Sequence, residues 1–472
     1  MPYTVKPLVR MWYATLPFTV VAFMQGTAMA QNPSSVTERA TQHLIDLVRL
    51  DTTNPPGNET RVAEYLKRIA EAEGIPCELV GPDPQRLNFI ARLKGSGKSR
   101  PLLVMAHSDV VPADRSQWTV DPFGAVTKNG VVYGRGTEDI KSLLAAELAV
   151  LVELKRRGVT LDRDIILLAE ADEEAGSSGM TWLIEHAWDK IDAEFALNEF
   201  GFWQDQSSGE RVFQIQTTEK VPTRMRLIAR GTAGHGSLPR SDNPVVHLAR
   251  AITRLVDAQQ PVALNTTTRR YFAELARLPG YAWLAPLLPQ LANPATQAPV
   301  TRQVRERDPE LGAMLHTTVS PTMLEGGVKI NVIPNTAEAP LDVRRLPTES
   351  EEEVYARFRR IIDDPAVSVE PAGGQRMPAT EPSSLTSPLY VAMERIFSTA
   401  HPRARVVPLM MRGATDGAFL RAKGIAVYGV PIFGREGEPR FHGNDERISI
   451  RNLHDGTDLL LKLVLAVAAP GA

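Results

Sequence analysis

Four carboxylates follow a short apolar stretch near the middle of the chain. The apolar residues span 165–169, and Glu170, Asp172, Glu173 and Glu174 come directly after them. Such a run favours a buried strand of a parallel sheet, and ligand sites of open α/β sheets lie at the carboxyl ends of such strands. Carboxylates this close repel one another unless a cation lies among them or one stays protonated. A solvated acidic loop also explains the stretch, so other segments must decide.

Two other apolar stretches end in side chains that can bind metals. Residues 102–106 are followed by His107 and Asp109, and the stretch that begins at Phe195 ends in Glu199. An imidazole at the end of a strand suits a metal ligand, and a carboxylate two residues later can orient that imidazole or touch the reaction itself. The alternative is a buried histidine that merely hydrogen-bonds to the aspartate.

Two loops add further candidates. Asp139 ends a glycine-containing segment and precedes residues 140–157, whose leucines recur at helical spacing. Asp139 could simply cap this helix, although the glycines before it would let the loop approach a cleft closely. Near the C-terminus, His442 stands within residues 440–446. Histidines with carboxylates and no cysteine suit zinc, manganese or cobalt in a hydrolytic site, and a shared carboxylate would give a paired-metal centre.

These motifs resemble those of the aminoacylase, carnosinase and carboxypeptidase G family of di-zinc metallopeptidases. The similarity extends from about Val36 to the C-terminus, although Asn198 stands where the family often has aspartate. The resemblance implies two zinc ions per chain, with cobalt or manganese as substitutes, and a role for each motif residue. The implied metal ligands are His107 and Glu199 on one ion, Glu174 and His442 on the other, and Asp139 between them. Glu173 is implied as the general base, and Asp109 as the residue that orients His107.

The resemblance also implies an α/β fold in which a zinc-peptidase-type, mixed-sheet catalytic domain carries an inserted ferredoxin-like α+β lid. Strands are predicted at 225–231, 322–325, 338–344 and 366–370, and helices at 243–258 and 350–362, which is the β-α-β-β-α-β order of that unit. The predicted divisions are a signal peptide at 1–30, catalytic segments at 31–221 and 373–472, and a lid at 222–372. Within the lid, residues 264–318 form an extra, partly helical insertion.

Four positions match substrate-side motifs of the same family. His235 is implied to stabilise the oxyanion, often in a partner subunit's site, and Asn331 and Arg344 are implied to bind a free carboxylate. A guanidinium suits that role because it can contact both carboxylate oxygens, although Arg345 stands beside it. Thr415 lies in a segment that resembles a further substrate loop, where the neighbouring aspartate could equally cap a helix.

Composition limits the classes of partner. A chain of 472 residues with 43% hydrophobic and 23% charged residues is that of a soluble globular protein with two domains expected. The 53 basic and 55 acidic residues nearly balance and form no long basic run, which argues against a nucleic-acid partner. Cys77 is the single cysteine, so an intrachain disulfide is excluded.

The first thirty residues have the layout of a cleaved secretory signal. Lys6 and Arg10 precede an apolar run over residues 11–24, and small residues end at Ala30. The run is too short to span a bilayer comfortably, an uncleaved anchor being the alternative. We therefore expect cleavage after Ala30, a periplasmic or secreted protein, and no stable membrane anchor.

The expected function is that of a secreted di-zinc hydrolase of carboxypeptidase or aminoacylase type. Its substrates would be N-acyl amino acids or dipeptides with a free C-terminal carboxylate, and Glu173 would activate a water that bridges the metals. An aminopeptidase or deacylase of the same family is the alternative, and a non-catalytic periplasmic binding protein is a distant one. The family's lid-to-lid homodimer is a possibility that the resemblance raises and that the extra insertion at 264–318 puts in doubt.

Overall fold

The predicted ligand-bearing strands are neighbours in one mixed sheet. This is seen in a computed structural model that describes residues 35–374 and 376–469. The strands of these residues, in chain order, are β1 (Cys77–Val80), β2 (Asn88–Leu93), β3 (Leu102–His107), β4 (Val126–Lys128), β5 (Val131–Tyr133), β6 (Ile165–Glu170), β7 (Phe195–Asn198), β8 (Phe202–Asp205), β9 (Arg211–Glu219), β10 (Val221–Arg230), β11 (Gly234–His235), β12 (Thr318–Pro321), β13 (Glu325–Gly326), β14 (Val332–Ile333), β15 (Thr336–Arg345), β16 (Val367–Pro371), β17 (Ala404–Met411), β18 (Ala426–Gly429) and β19 (Arg447–Ser449).

The helices cover both faces of this sheet and one face of a second, smaller sheet. In chain order they are α1 (Val36–Val48), α2 (Thr60–Ala72), α3 (Lys141–Arg156), α4 (Ser178–His186), α5 (Trp188–Ile191), α6 (Pro244–Asp257), α7 (Thr266–Leu275), α8 (Leu288–Leu291), α9 (Pro294–Arg307), α10 (Pro309–Ala313), α11 (Glu351–Ile362), α12 (Pro388–Thr399), α13 (Gly417–Ala422) and α14 (Ile450–Ala468). Short 3₁₀ helices span Arg115–Gln117 and Pro279–Leu284.

The large sheet has nine strands, in the order β1-β2-β6-β3-β7-β18-β9-β17, with β8 beside β9. Strands β6, β3, β7 and β18 run parallel, so their carboxyl ends meet at one edge. Alternate residues of β3 face opposite cores: Val104 packs toward α1, α3 and α14, whereas Met105 packs toward α4, α5 and α13. Burial on both faces explains the uninterrupted apolar runs of the sequence.

The second sheet is the predicted ferredoxin-like lid. Its order is β12-β15-β10-β16, with β13 also paired to β15, and α6 and α11 pack on one face. The second lid strand was predicted at 322–325, but it lies at Thr318–Pro321. Pro321 offers no N–H to the ladder, so β12 ends there and β13 forms separately. The boundaries between lid and catalytic segments stay a prediction.

The insertion at 264–318 packs on the large sheet rather than on the lid sheet. Its apolar side chains form a core with Val212 of β9 and with Val407, Leu409 and Met410 of β17. The side-chain ammonium of Lys220, between β9 and β10, donates to the carbonyls of Ala313 and His316 at 2.9 Å each. The insertion is therefore attached to the body that carries the metal-ligand candidates.

Within the described ranges, no helix combines the length and apolarity needed to cross a membrane. The predicted signal peptide at 1–30 lies outside these ranges.

Candidate active site

Asp139 lies between two histidines that come from opposite ends of the chain. The Nε2 atom of His107 is 3.1 Å from Oδ1 of Asp139, and the Nε2 atom of His442 is 3.2 Å from Oδ2. Each oxygen of one carboxylate thus faces a different imidazole. This is the arrangement that a carboxylate shared by two cations requires.

Each histidine has a second carboxylate beside it. Glu199 Oε2 lies 3.5 Å from Nε2 of His107, and the carboxylate of Glu174 lies 3.2 Å from Nε2 of His442. The structure therefore brings together all five residues that the sequence predicted as ligands, and divides them into two groups around Asp139. Strand ends and loops deliver them: β3 ends at His107, Glu199 follows β7, and Glu174 follows β6.

The donor set fits a pair of divalent cations. Oε2 of Glu199 is buried without a hydrogen-bond partner among the described residues, which is costly unless a cation accompanies it. Burial raises the pKa of Glu199 to about 7, and burial together with the Glu199 charge raises the pKa of Glu173 well above its usual range. Hydrogen bonds to Asp139 and Glu174 raise the pKa of His442 to about 10. All three shifts reflect buried negative charge in excess, which two cations would offset.

Asp109 connects the two strand ends that carry His107 and Glu174. Its carboxylate accepts the backbone N–H of Glu173 at 3.2 Å and that of Glu174 at 3.1 Å. Nδ1 of His107 lies 3.0 Å from the backbone oxygen of Asp109 and 3.5 Å from its Oδ1. Asp109 therefore fixes the positions of both loops, and the imidazole is oriented by its main chain as well.

Sequence reasoning did not assign a role to two buried residues that organise the site. Glu446 accepts the backbone N–H groups of Glu138 at 2.7 Å and Asp139 at 3.0 Å, together with the Arg135 guanidinium at 2.6 Å. Asn54 donates to Asp109 at 2.7 Å and to Asp172 at 2.8 Å. Glu446 stands four residues after His442, and this closeness to a predicted ligand was the only sequence feature that pointed to a role for Glu446 in the site.

Glu173 lines two cavities that meet at the metal-ligand candidates. The first, of about 740 Å³, lies between residues 173–177 and the strands of the lid. The second, of about 390 Å³, lies between the ligands and the insertion. Arg344 lines both cavities, and its guanidinium contacts both oxygens of Asp342 at 2.8 and 3.2 Å. The neighbouring Arg345 is buried against Thr223, which favours Arg344 as the residue that a ligand could reach.

The remaining predicted substrate residues lie elsewhere. His235 is exposed on β11, which pairs with β14 as a two-stranded ribbon, and the Gly236 N–H donates to the Asn331 carbonyl at 2.8 Å. Neither His235 nor Asn331 lines the cavities that contain Glu173. Thr415 is fully buried, where its hydroxyl donates to Glu219 at 3.0 Å and accepts from Asn198 at 3.3 Å. It is thus engaged within the protein.

One metal-ligand candidate, and the residue that follows another, have left-handed backbone conformations. Phe200, which follows Glu199, has φ of 63°, and His442 has φ of 60°. Such conformations are uncommon for side chains other than glycine and often mark functional sites. The ring of Phe200 meets that of Phe441 edge to face, with centroids 6.4 Å apart, so the ligands are bordered by aromatic surface.

Curated proteins of related sequence include hydrolases of acylated amino compounds. The human N-fatty-acyl-amino acid synthase/hydrolase PM20D1 is 26% identical over 443 residues, which cover 90% of this chain and 87% of that protein. A probable succinyl-diaminopimelate desuccinylase of Staphylococcus aureus is 27% identical over 414 residues, covering 86% of this chain and 92% of that protein.

Solved structures share the fold. The M20 family metallo-carboxypeptidase Sso-CP2 of Sulfolobus solfataricus matches with a TM-score of 0.69 and 22% identity, covering 90% of this chain and 98% of that one. The model of the family described as peptidase family M20/M25/M40 matches residues 103–466, which is well over half of the chain. The resemblance inferred from the motifs is thereby confirmed: the chain belongs to peptidase family M20/M25/M40 and is a hydrolase of carbon–nitrogen bonds.

Proposed function

We propose that this protein is a secreted di-zinc hydrolase that cleaves the amide bond of N-acyl amino acids, or of dipeptides with a free C-terminal carboxylate. The observation that carries the proposal is Asp139, whose two oxygens face two different histidines beside Glu173. The names of relatives support the acyl amino acid class, since two of them act on acylated amino compounds.

The proposed ligands are His107 and Glu199 for one ion, Glu174 and His442 for the other, and Asp139 for both. Bound zinc would polarise the amide carbonyl and lower the pKa of a water molecule. Cobalt or manganese, which accept similar ligands, could replace it. Asp109, Asn54 and Glu446 would hold these ligands in place through the hydrogen bonds described above.

Glu173 is the proposed general base. It lines both cavities and stands next to the ligand Glu174, so it can reach a water molecule and the amide nitrogen of a substrate in either cavity. Burial raises the pKa of its carboxyl well above the usual range, which makes the carboxylate a stronger base. Glu173 would take a proton from water and return it to the leaving amine.

Arg344 is the proposed anchor for the substrate carboxylate. Its guanidinium is partly exposed at the junction of the two cavities. A hydrogen bond to Asp342 fixes its orientation, and its remaining N–H groups could donate to a substrate carboxylate. Asn331 and Thr415 remain family-based assignments; the buried hydroxyl of Thr415 would support the site by holding Glu219 and Asn198 instead of touching substrate.

A lid-to-lid homodimer would bring His235 to a site. The ribbon that carries His235 borders the strongly exposed apolar side chains of Val328 and Ile330, which favour burial against a partner. Because His235 does not line the cavities of its own chain, we propose that it stabilises the oxyanion in the site of a partner subunit.

Amino acid release from a substrate panel tests the function. Purified protein with zinc should hydrolyse N-acyl amino acids or dipeptides, and chelation should abolish activity until zinc is restored. Substrates with an amidated C-terminus should be cleaved at least about tenfold less efficiently, because they lose the charged contact to Arg344. Arg344→Met should remove this discrimination. Equal cleavage of free and blocked substrates by the wild type would assign the carboxylate another partner.

Replacement of the general base should separate metal binding from turnover. Glu173→Gln should retain two zinc ions per chain but lose roughly 10²- to 10⁴-fold in kcat, because the amide cannot accept the proton of water. Elemental analysis and steady-state kinetics measure the two properties. Glu185→Gln, an exposed change on α4, is the control; unimpaired turnover by Glu173→Gln would remove Glu173 from the role.

Glu446→Gln tests the support of Asp139. The amide can offer only one acceptor oxygen to the Asp139 loop and places a donor against Arg135, so zinc affinity should fall about 10- to 100-fold. Competition with a zinc-binding dye measures this affinity. Glu438→Gln, in the exposed part of the same segment, should leave the affinity unchanged. If both variants bind zinc like the wild type, Glu446 does not position the ligand.

Subunit complementation tests the trans role of His235. His235→Ala and Glu173→Gln should each be inactive alone, whereas random exchange of their subunits should restore about a quarter of wild-type activity, because half the dimers carry one intact site. Ile330→Asp should give monomers by light scattering. No recovery in mixed dimers would show that His235 does not act across the interface.

A further inference from the structure

The cavity on the insertion side of the metal centre has a wall that belongs to the insertion. Tyr271, Leu275, Tyr281 and Leu311 of the insertion line it, opposite Phe202 and the metal-ligand candidates. Its volume of about 390 Å³ lies within the range of small-molecule sites, roughly 300–1,000 Å³. Glu173 also lines this cavity, and under the proposed function the scissile bond of a substrate would lie beside Glu173.

The cavity on the lid side has a larger share of charged side chains in its lining. The β10 and β15 side chains that line it include Arg224, Arg226, Glu338 and Asp342, and Arg344 stands where the two cavities meet. A substrate whose carboxylate contacts Arg344 and whose amide lies at Glu173 has two ends in two different environments. The charged cavity suits the amino acid end, and the aromatic cavity suits an apolar group on the other side of the amide.

The charged side chains of the insertion-side cavity already have partners. Glu310 is paired with Arg412 at 3.0 Å, and the Arg435 guanidinium lies 3.6 Å from the ring centroid of Phe202. Asp308 caps α10 by accepting the N–H of Leu311 at 3.0 Å. Glu310 and Arg412 therefore offset each other, and Arg435 is stacked. Away from the metal-ligand candidates, the rest of the lining combines uncharged glutamines with the aromatic rings and aliphatic chains of Phe202, Tyr271, Leu275 and Tyr281.

The wall is attached to the catalytic sheet. The core beneath Tyr271, Leu275 and Leu311 includes Leu409 and Met410 of β17, and Lys220 donates to one carbonyl at the end of α10 and to another just after it. The insertion therefore holds its aromatic surface at a fixed position relative to the ligands.

We propose that the insertion at 264–318 forms an acyl-group subsite, and that the enzyme prefers N-acyl amino acids whose acyl group is a linear apolar chain. This inference rests on the proposed function and assigns its substrate class. Each added methylene should remain in contact with the aromatic wall, so catalytic efficiency should increase along an acyl series until the cavity is filled.

A series of acyl derivatives of one amino acid tests the subsite in the wild-type, zinc-loaded protein. We expect kcat/KM at least about tenfold higher for N-decanoyl than for N-acetyl substrate. Calorimetry with zinc-loaded Glu173→Gln should give the same ratio in Kd and a negative heat-capacity change for the decanoyl compound. An N-succinyl substrate tests whether Arg412 and Arg435 instead select an acidic acyl group.

Variants in the wall give an independent readout. Tyr281→Ser and Met411→Ser, both at partly exposed positions that line the cavity, should each lower the decanoyl-to-acetyl ratio of kcat/KM about fivefold or more. Trp283→Ser is the matched control, because Trp283 lies on the same 3₁₀ helix but packs against Arg307, outside the cavity; its ratio should stay that of the wild type.

The outcomes distinguish the two levels of inference. If no N-acyl amino acid or dipeptide is hydrolysed, the proposed function fails and the subsite fails with it. If all acyl groups are cleaved with similar efficiency, or if acetyl or succinyl is preferred, the subsite is overturned while the hydrolase function stands. A ratio that changes in Trp283→Ser as much as in Tyr281→Ser also overturns it, since general loosening of the insertion would then explain the effect.

Discussion

Repulsion among buried carboxylates is the constraint on which this structure depends. Asp139, Glu173, Glu174 and Glu199 converge around two histidines, and among the described residues the ion pairs of these carboxylates are with those histidines and not with a lysine or arginine. Burial and mutual repulsion raise the pKa of Glu173 and Glu199, so an uncompensated cluster would lose ionisation. Such a concentration of charge is tolerable when cations share it, and this makes the site costly to keep for any purpose except metal binding.

Buried hydrogen bonds hold the ligand-bearing loops in place against this repulsion. Glu446 gathers backbone N–H groups of the loop that carries Asp139, and Asp109 does the same for the loop that carries Glu173 and Glu174. Both supports join segments far apart in sequence, so the ligand loops are fixed to each other as well as to the sheet. Gly136 is needed in this arrangement because its φ of 91° turns the loop while its N–H reaches Glu446.

The ligands were predictable because parallel strands deliver their carboxyl ends to one edge. His107, Glu199 and Glu174 each follow an apolar run, and that pattern is visible without a structure. The supports were not visible in this way, because no local pattern tells which buried carboxylate will accept N–H groups from a loop 307 or 308 residues earlier, as Glu446 does. The second lid strand was placed a few residues late for a different reason: the prediction did not take account of Pro321, at which β12 ends.

The insertion shows why topology alone does not assign a segment to a domain. Residues 264–318 are enclosed in sequence by lid strands, yet their leucines and tyrosines lie against β9 and β17, because the edge of the large sheet offers apolar surface there. The lid contributes Arg344 to the junction of the cavities, whereas the insertion extends the catalytic body beside the metal ligands. Under the proposed function, recognition of the two ends of a substrate would be divided between charged contacts on the lid side and apolar contacts on the side of the catalytic body. Changes in the insertion could therefore alter acyl preference without disturbing the carboxylate anchor or the metal ligands.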